Sequence, residues 1–261
     1  MLTDKKIVLT GAGSGIGLET LKILAAEPTN TILAVDKDCS RIEGFNSNVV
    51  PMEIDVSTKE AIDEIFVKAD EEMGMIDIFY ANAGYPYYEL FDYVDWDRAE
   101  RIFATNVLSP IYSYEKYRDY LGSREGHYCI TVSAIGKLAM PGFTLYSATK
   151  FAMHGFQQGL RYELPKNIKL TCLYPIATDT GFFKAANDKV FEKPFPVQKP
   201  EHVAKKMVEG IEKHAKAVNP SALFTLSGVL FNILPPVKSV YLKLEKDKLK
   251  RFVEGKVRIK K

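Results

Sequence analysis

The sequence predicts an α/β protein with a doubly wound parallel sheet, and three observations support this fold class. Short apolar runs alternate with helical patterns from residue 7 to about residue 217. The runs are rich in β-branched or aromatic residues, as in strands that are buried on both faces of a parallel sheet. A glycine-rich turn directly follows the first run. With 261 residues, 46% of them apolar, the chain suits one globular domain.

Six strands and five helices are predicted in this alternation. The predicted strands are residues 7–10, 31–35, 49–54, 76–81, 128–132 and 168–174. The predicted helices are residues 17–26, 59–73, 97–120, 151–164 and 200–216. This order favours right-handed crossovers with helices on both faces of the sheet. Since no repeat or linker divides the chain, we expect residues 1–218 to form one domain and residues 219–261 to be a C-terminal extension packed on or appended to it.

The C-terminal extension differs in composition from the rest of the chain. Residues 221–236 (SALFTLSGVLFNILPP) are apolar but interrupted by Gly228 and two prolines, and a strongly basic segment follows. The favoured interpretation is a core or oligomer-interface helix with a solvated tail. The alternative is a peripheral contact of residues 221–261 with an anionic membrane surface. No apolar run reaches the ~18 residues of a membrane-spanning helix.

Composition excludes several classes of function. The net charge of +2 is too small to argue for a nucleic-acid partner. The three cysteines are far apart without a CxxC motif, which indicates free thiols in a reducing compartment, and we expect a cytoplasmic protein. The four histidines lack metal-ligand spacing, so no metal site is predicted. The N-terminus lacks the apolar region of a signal peptide.

The glycine-rich turn TGAGSGIG (residues 10–17) lies between the first strand and the first helix. Its glycines allow a tight turn and a close approach to a pyrophosphate, and the helix N-terminus supplies amide groups. This context of strand, turn and helix is the one that a dinucleotide-binding motif requires. The cofactor-binding candidates in this turn are Gly11, Ser14, Gly15, Ile16 and Gly17.

Asp36 closes the second strand, where a carboxylate can accept hydrogen bonds from the ribose diol of NAD and would repel a 2′-phosphate. Lys37 could instead attract that phosphate, but we favour NAD over NADP. Asp55 ends the third strand and is a candidate partner for the adenine amine, with Val56 beside it. Asp55 could equally cap the helix that starts near Ser57.

At this point the motifs resemble those of the short-chain dehydrogenase/reductase family over about residues 3–217. The turn is similar to the family's TGxxxGxG loop, and Asn82, Ala83 and Gly84 are similar to its NNAG motif. The segment 174–180 (YPIATDT) is similar to the PGxxxT segment that holds the nicotinamide carboxamide. It adds the candidates Pro175, Ile176, Thr178 and Thr180, with Ile176 in place of the usual glycine.

Four further residues match the catalytic tetrad of that family. They are Asn106, Ser133, Tyr146 and Lys150, with 13 residues from the serine to the tyrosine. The resemblance implies a Rossmann-type fold and an NAD(P)-dependent enzyme acting on CH–OH groups. It also implies that Asn106 positions a water that links Lys150 to solvent.

The chemistry of these side chains can be argued directly. A free phenol has a pKa near ~10, and Lys150 together with the positive nicotinamide ring would lower the pKa of Tyr146. Tyr146 would then exchange a proton with the substrate oxygen as hydride is transferred. Ser133 would hydrogen-bond that oxygen, and Lys150 would also hold the nicotinamide ribose.

Three aromatic-rich segments, 85–96, 134–143 and 181–199, are expected to form the substrate pocket. The pocket candidates are Tyr85, Tyr87, Ala134, Met140, Phe182 and Phe183. Their apolar character suggests a hydrophobic alcohol or ketone, such as a lipid, a steroid-like compound or an aromatic one. The alternative is that these aromatics only pack the loops.

Three functions are therefore considered. The first is an oxidoreductase that transfers hydride between NAD and a hydrophobic secondary alcohol or ketone. The alternatives are a catalytically silent NAD(P)-binding regulator and a membrane-surface reductase acting on lipid-like substrates. The resemblance also implies a homodimer, with a tetramer as the alternative, through the helices that carry Asn106 and Tyr146.

Overall fold

The computed structural model describes residues 2–93, 95–187 and 189–256. Its strands are β1 (Lys6–Thr10), β2 (Thr31–Asp36), β3 (Val49–Glu53), β4 (Ile78–Ala81), β5 (Gly126–Thr131), β6 (Ile168–Leu173) and β7 (Ala217–Val218). They form one parallel sheet in the order β3-β2-β1-β4-β5-β6-β7. The predicted fold class is confirmed. The order reverses between β1 and β4, and such a switch point opens a crevice at the carboxyl ends of the strands.

The helices are α1 (Gly15–Ala25), α2 (Lys59–Met73), α3 (Trp96–Phe103), α4 (Ser109–Leu121), α5 (Thr144–Glu163), α6 (Phe182–Ala186), α7 (Pro200–Glu212), α8 (Ala222–Ile233) and α9 (Pro235–Val253). A π-helical turn, Ala104–Leu108, joins α3 to α4, so the single helix predicted over 97–120 is interrupted. The helix predicted from residue 151 begins seven residues earlier, at Thr144. Tyr146 therefore lies in its first turn.

The sheet is buried on both faces because successive side chains of each strand point to opposite sides. On one face Ile7 and Leu9 of β1 pack with Leu21 of α1, and α7 covers the same face. On the other face Val8 packs in a cluster with Ile65 of α2, together with α4 and α5. Each of these five side chains is at most 1% exposed. Burial of such a side chain stabilises the fold by roughly 1.5–3 kcal/mol.

A third apolar cluster lies apart from the two faces of the sheet. We call it the aromatic cluster; its members include Tyr88, Phe143, Tyr146, Phe191 and Phe252. The rings of Tyr88 and Phe191 stack with centroids 4.0 Å apart. Phe252 comes from α9, so the C-terminal extension completes this cluster and is part of the same domain.

The outer face of α8 does not join any of these clusters. Leu223, Leu226, Leu230 and Ile233 are 55%, 68%, 39% and 68% exposed. The interpretation of residues 221–236 as a core helix is therefore wrong for this face, because α8 packs mainly against α9. Among the described residues, no helix combines the length and the apolar character needed to cross a membrane.

Candidate active site

A cavity of about 420 Å³ lies at the crevice and is bordered at one end by the glycine turn. Gly11 and Gly15 have φ of +67° and +54°, a conformation that side chains rarely adopt. A Cβ on Gly17 would lie 1.8 Å from the carbonyl oxygen of Gly11, so this glycine permits close packing of α1 on the turn. Ser14 and Ile16 border the cavity with Gly11 and Gly15, whereas Gly17 lies behind its wall.

The segment after β4 braces this turn from the side. The Asn82 amide donates to the carbonyl oxygens of Thr10 and Gly11 at 3.2 and 3.3 Å. The Thr131 hydroxyl in turn donates to Asn82 Oδ1 at 2.9 Å. Ala83 and Gly84 border the cavity with Asn82, as expected of cofactor-binding candidates. The Asn82 amide therefore fixes the position of the glycine turn.

Asp36 lies at the same end of the cavity, with Lys37 beside it. One carboxylate oxygen accepts from the Gly13 amide at 2.7 Å, and the other accepts from the Asp38 amide at 3.2 Å. Two carboxylate oxygens have about four acceptor sites, so capacity remains for a ribose diol. The position and charge of Asp36 thus fit an adenosine ribose without a 2′-phosphate.

Asp55 and Val56 also border the cavity. Asp55 Oδ1 accepts from the Ser57 amide at 3.0 Å. The cap of α2 is Thr58, whose hydroxyl accepts from the Ala61 amide at 3.2 Å. Asp55 is therefore not the helix cap, and its role toward the adenine stays a prediction.

The segment after β6 closes the cleft against the glycine turn. Pro175, Ile176, Thr178 and Thr180 all border the cavity. A Cβ on Gly15 would lie 3.2 Å from the Thr180 methyl group, which shows how closely the two segments approach. The described non-glycine residues with positive φ are Asp4, Ser133 and His214. Isoleucine in place of glycine at position 176 is thus compatible with the backbone there.

The four tetrad residues meet beyond the glycine turn. Ser133, Tyr146 and Lys150 border the cavity and are 7%, 5% and 4% exposed, while Asn106 lies behind them at 2%. Tyr146 and Lys150 are one turn apart on α5, and Ser133 directly precedes the 3₁₀ turn Ala134–Gly136 that follows β5. The predicted constellation is therefore brought together by three separate parts of the chain.

Burial dominates the electrostatics of the tyrosine and the lysine. It raises the pKa of Tyr146, and the nearby Ser133 hydroxyl lowers this pKa only in part. It lowers the pKa of Lys150 to about 8. The Lys150 ammonium donates to the Thr131 carbonyl oxygen at 3.1 Å and lies 5.7 Å from the centroid of the tyrosine ring. In the protein alone, burial therefore determines the direction of the Tyr146 pKa shift, and the lowering expected from Lys150 together with the nicotinamide ring stays a prediction.

Asn106 occupies the π-helical turn, where the extra residue changes the direction of its side chain. Its Oδ1 accepts from the Tyr85 amide at 3.0 Å, and its Nδ2 donates to the Tyr85 carbonyl at 2.9 Å. Nδ2 also donates to Thr149 Oγ1 at 3.2 Å. Asn106 thus fixes the chain after β4 against α5, next to the lysine.

Ser133 has an unusual backbone, with φ +147° and ψ 153°. Its hydroxyl accepts from the Ile135 amide at 3.1 Å and donates to the Pro175 carbonyl at 3.4 Å. Strained residues of this kind cost on the order of 1–3 kcal/mol and cluster at functional sites. The strain here aims the hydroxyl at the cavity beside Tyr146.

The far end of the cavity is apolar. Five pocket candidates border it, namely Tyr85, Ala134, Met140, Phe182 and Phe183. Tyr87 does not border the cavity, and the Arg98 guanidinium stacks 3.6 Å from its ring centroid. The structure thus does not bring Tyr87 into the cavity wall with the other five candidates. The aromatic loops have two roles, since Tyr88 and Phe191 pack each other while Phe182 and Phe183 face the cavity.

Six apolar residues of the wall were not among the individual pocket candidates. They are Ile135, Leu138, Phe143, Phe195, Phe224 and Tyr241. The first three lie in the segment 134–143, and Phe195 lies in the segment 181–199. Both segments were predicted to form the pocket, but the sequence did not show which of their apolar residues border it. Phe224 and Tyr241 come from α8 and α9, and the local sequence of these helices does not predict that they reach the cavity.

Helix α9 also holds the loop that follows α6. The Arg251 guanidinium donates two hydrogen bonds to Glu192, at 2.8 and 2.9 Å. The Lys248 ammonium donates to the Lys193 carbonyl at 3.1 Å. The Tyr241 hydroxyl donates to the Phe195 carbonyl at 3.2 Å. The C-terminal extension therefore fixes one wall of the cavity.

Comparison with known proteins agrees with this geometry. The profile of the short chain dehydrogenase family matches residues 5–190. The chain belongs to this family. It is 28% identical over 242 residues to estradiol 17-beta-dehydrogenase 11 of Macaca fascicularis, covering 88% of this chain and 79% of the relative.

Two solved structures illustrate the shared fold. A 3-ketoacyl-(acyl-carrier-protein) reductase from Brucella melitensis, complexed with NADH, has a TM-score of 0.74 at 23% identity, covering 84% of this chain and 97% of that one. A short chain dehydrogenase from Burkholderia cenocepacia J2315, in complex with NADP, has a TM-score of 0.77 at 20% identity, covering 92% and 98%. Members of this fold thus bind either nicotinamide cofactor.

Proposed function

We propose that this protein transfers hydride between a nicotinamide cofactor and a hydrophobic secondary alcohol or ketone, with Tyr146 as the general acid and base. The observation that carries the proposal is the position of Tyr146 in the cavity, between the glycine turn and apolar walls. The glycine turn, the amides of α1 and the Asp36 carboxylate are groups that suit a dinucleotide. The cofactor supplies or accepts the hydride.

The protein's own groups manage the proton. In the direction of oxidation the Tyr146 oxygen takes the hydroxyl proton of the alcohol, and in reduction it returns a proton to the carbonyl oxygen. The Ser133 hydroxyl stabilises charge on that oxygen. Because burial raises the pKa of Tyr146, the protonated phenol is the resting form, and a positive charge close to the ring is needed before it can act as a base.

The substrate class follows from the walls of the cavity. Polar groups are concentrated near Tyr146 and the glycine turn, whereas Met140, Phe182 and Phe183 line the remainder. Such a pocket selects an apolar body with one oxygen function. The relative named as an estradiol dehydrogenase supports a substrate of the steroid or lipid class.

Replacing Tyr146 with phenylalanine tests the proposal. We expect kcat to fall by about 10²–10⁴-fold with secondary alcohols, since the proton acceptor is lost while the ring remains. NADH affinity, measured by fluorescence titration, should stay nearly unchanged. In the wild type, kcat/KM should rise about fourfold per methylene along a series of linear secondary alcohols.

The matched control is Tyr87→Phe, because Tyr87 lies outside the cavity wall and should leave kcat unchanged. Tight NADH binding by the wild type without turnover of any alcohol or ketone in the series would contradict the proposal. That outcome would instead favour the catalytically silent regulator.

We further propose NAD as the preferred cofactor. A carboxylate about 4 Å from a 2′-phosphate charge would repel it by ~4 kcal/mol at an effective dielectric constant near 20. Asp36→Asn keeps the oxygen that accepts from the Gly13 amide but removes the charge. We expect it to raise NADPH affinity relative to NADH by about tenfold or more, measured as the ratio of two dissociation constants.

Lys37→Gln is the control for this second test, since Lys37 borders the same end of the cavity. If the wild type binds NADPH more tightly than NADH and Lys37→Gln removes that preference, the lysine sets the cofactor and the proposed role of Asp36 fails.

A further inference from the structure

Helix α8 presents a continuous apolar stripe to solvent. Leu223, Leu226, Leu230 and Ile233 recur at the spacing of one helical face, and all four are at least 39% exposed. The stretch from residue 217 to residue 237 contains no charged side chain. A contiguous exposed face of this kind marks an interaction surface rather than ordinary solvent-exposed structure.

The opposite face of the same helix is already used. Phe224 borders the cavity, and Phe231 stacks on Tyr241 of α9 with ring centroids 5.9 Å apart. The helix is thus fixed in orientation by its aromatic side, and the leucine side is turned outward. A rotation of α8 about its axis that buried the leucines in the core would remove Phe224 from the cavity wall.

Positive charge is concentrated on α9, the helix that packs against α8. Residues 222–253 contain six basic and two acidic side chains, although the whole chain has a net charge of only +2. Lys238, Lys243, Lys246 and Lys250 of α9 are all exposed. Of the two acidic residues, Glu245 is buried and forms an ion pair with Lys248 at 2.7 Å, which leaves the outer charge strongly positive.

We propose that the outer face of α8 and the lysines of α9 dock the protein on an anionic lipid bilayer. The leucine stripe would enter the boundary between headgroups and acyl chains, and the lysines would meet the lipid phosphates and carboxylates. The 12 residues of α8 span about 18 Å, too short for the ~30 Å hydrocarbon core, so the helix lies in the plane of the surface.

The positive charge of α9 favours an anionic bilayer over a second copy of this chain as the binding partner of this surface. Two identical faces that meet on a symmetry axis would bring like charges together, and such a contact is unfavourable. An anionic bilayer offers the opposite charge and also takes up the leucines. Charge complementarity thus favours the lipid surface.

The docking surface is adjacent to the cavity wall. Phe195, Phe224 and Tyr241 line the cavity on the side formed by α8 and α9. Resting on the proposed function, this arrangement would let an apolar alcohol or ketone pass from the bilayer into the cavity without crossing bulk water. Docking itself does not depend on turnover.

Co-sedimentation of the full chain with lipid vesicles tests the docking surface. We expect binding to vesicles with about 30% phosphatidylserine in phosphatidylcholine, and much weaker binding to phosphatidylcholine alone. Leu226→Ser with Ile233→Ser should lower the partition coefficient roughly tenfold or more. Lys243→Glu with Lys246→Glu should lower it by at least about 25-fold, since each basic residue near the surface contributes about fivefold.

Matched controls lie on other helices. Val67→Ser on α2 changes a side chain that is 60% exposed, and Lys205→Glu with Lys213→Glu reverses two exposed lysines at α7. These variants should bind vesicles like the wild type. The proposal is overturned if the wild type does not sediment with anionic vesicles, or if the α8 and control variants lose binding equally. It is also overturned if the α8 variant binds normally but dissociates a dimer in analytical ultracentrifugation.

Discussion

At the scale of single residues, burial of the Lys150 charge in the candidate active site lowers the free energy of unfolding. The residue is 4% exposed, and burial lowers the pKa of its ammonium from 10.5 to about 8. Between these two values the folded protein binds fewer protons than the unfolded chain, so the free energy of unfolding rises with pH across this window. Below pH 8 the buried charge destabilises the fold by its full amount.

Replacing this lysine with methionine should therefore stabilise the protein at neutral pH. We expect Lys150→Met to raise the free energy of unfolding at pH 7 by on the order of 1–3 kcal/mol, and the gain to shrink as the pH approaches 10. Urea denaturation at several pH values measures this. NADH affinity and turnover should both decrease, because the ammonium that we expect to hold the ribose is gone.

An exposed lysine provides the comparison. Lys166→Met changes the same functional group at a solvent-exposed position, so its effect on stability should be small and independent of pH. A stability gain for Lys150→Met that persists unchanged to high pH would show that packing, and not the buried charge, is responsible.

Some site residues could be predicted from a local sequence pattern, whereas the placement of others depends on contacts between distant parts of the chain. The pair Tyr146 and Lys150 follows from a spacing within one helix, which the chain displays directly. Tyr87 carries the same local signal as Tyr85, yet it does not border the cavity and packs against Arg98 of α3 instead. The contact between Arg98 and Tyr87 is a tertiary contact, and a local sequence pattern does not predict it.

At the scale of elements, α9 acts as a strap over the loop that follows α6. The ion pair of Arg251 with Glu192 joins side chains that are 29% and 17% exposed, so solvent screens it less than a surface pair. The aromatic contact between Phe252 and Phe191, with centroids 6.2 Å apart, adds an apolar anchor. Together these contacts restrict the loop.

Loss of this ion pair should loosen the loop and leave the fold intact. We expect Arg251→Ala to increase the rate of limited proteolysis within residues 189–199 severalfold and to raise KM for apolar substrates, because one wall of the cavity becomes mobile. Lys250→Ala is the control on the same helix, since its side chain is 74% exposed. Equal proteolysis of the two variants would show that α9 does not restrain the loop.

Elements were predictable where their pattern is local. All six predicted strands are present because each is a short segment rich in apolar, β-branched or aromatic residues. β7 has only two residues and gives no such run. The π-helical turn Ala104–Leu108 was not predicted, since one extra residue within a helix leaves the apolar periodicity nearly unchanged. The turn nevertheless determines where Asn106 points.

At the scale of the whole molecule, the family resemblance implies a dimer through the helices that carry Asn106 and Tyr146. Phe151 of α5 is 43% exposed, and Leu108, just before α4, is 59% exposed. Large apolar side chains at these positions suit a subunit interface. We retain the homodimer as a prediction, with these helices as its contact.

A charge placed at this contact should separate the subunits. We expect Phe151→Asp to shift the protein from dimer to monomer in analytical ultracentrifugation, because a carboxylate buried in an apolar interface is unfavourable. Val67→Asp alters a 60% exposed apolar side chain on α2 and should leave the assembly unchanged. A wild type that sediments as a monomer would contradict the prediction.

The hydrogen bonds between α9 and the loop after α6 have a consequence for changing the substrate range. The loop carbonyls of Lys193 and Phe195 accept from Lys248 and Tyr241, which lie some 50 residues later in the chain. A loop taken from another dehydrogenase would arrive without these donors and lose its anchors. A graft intended to change the substrate range must therefore carry the loop after α6 and helix α9 together.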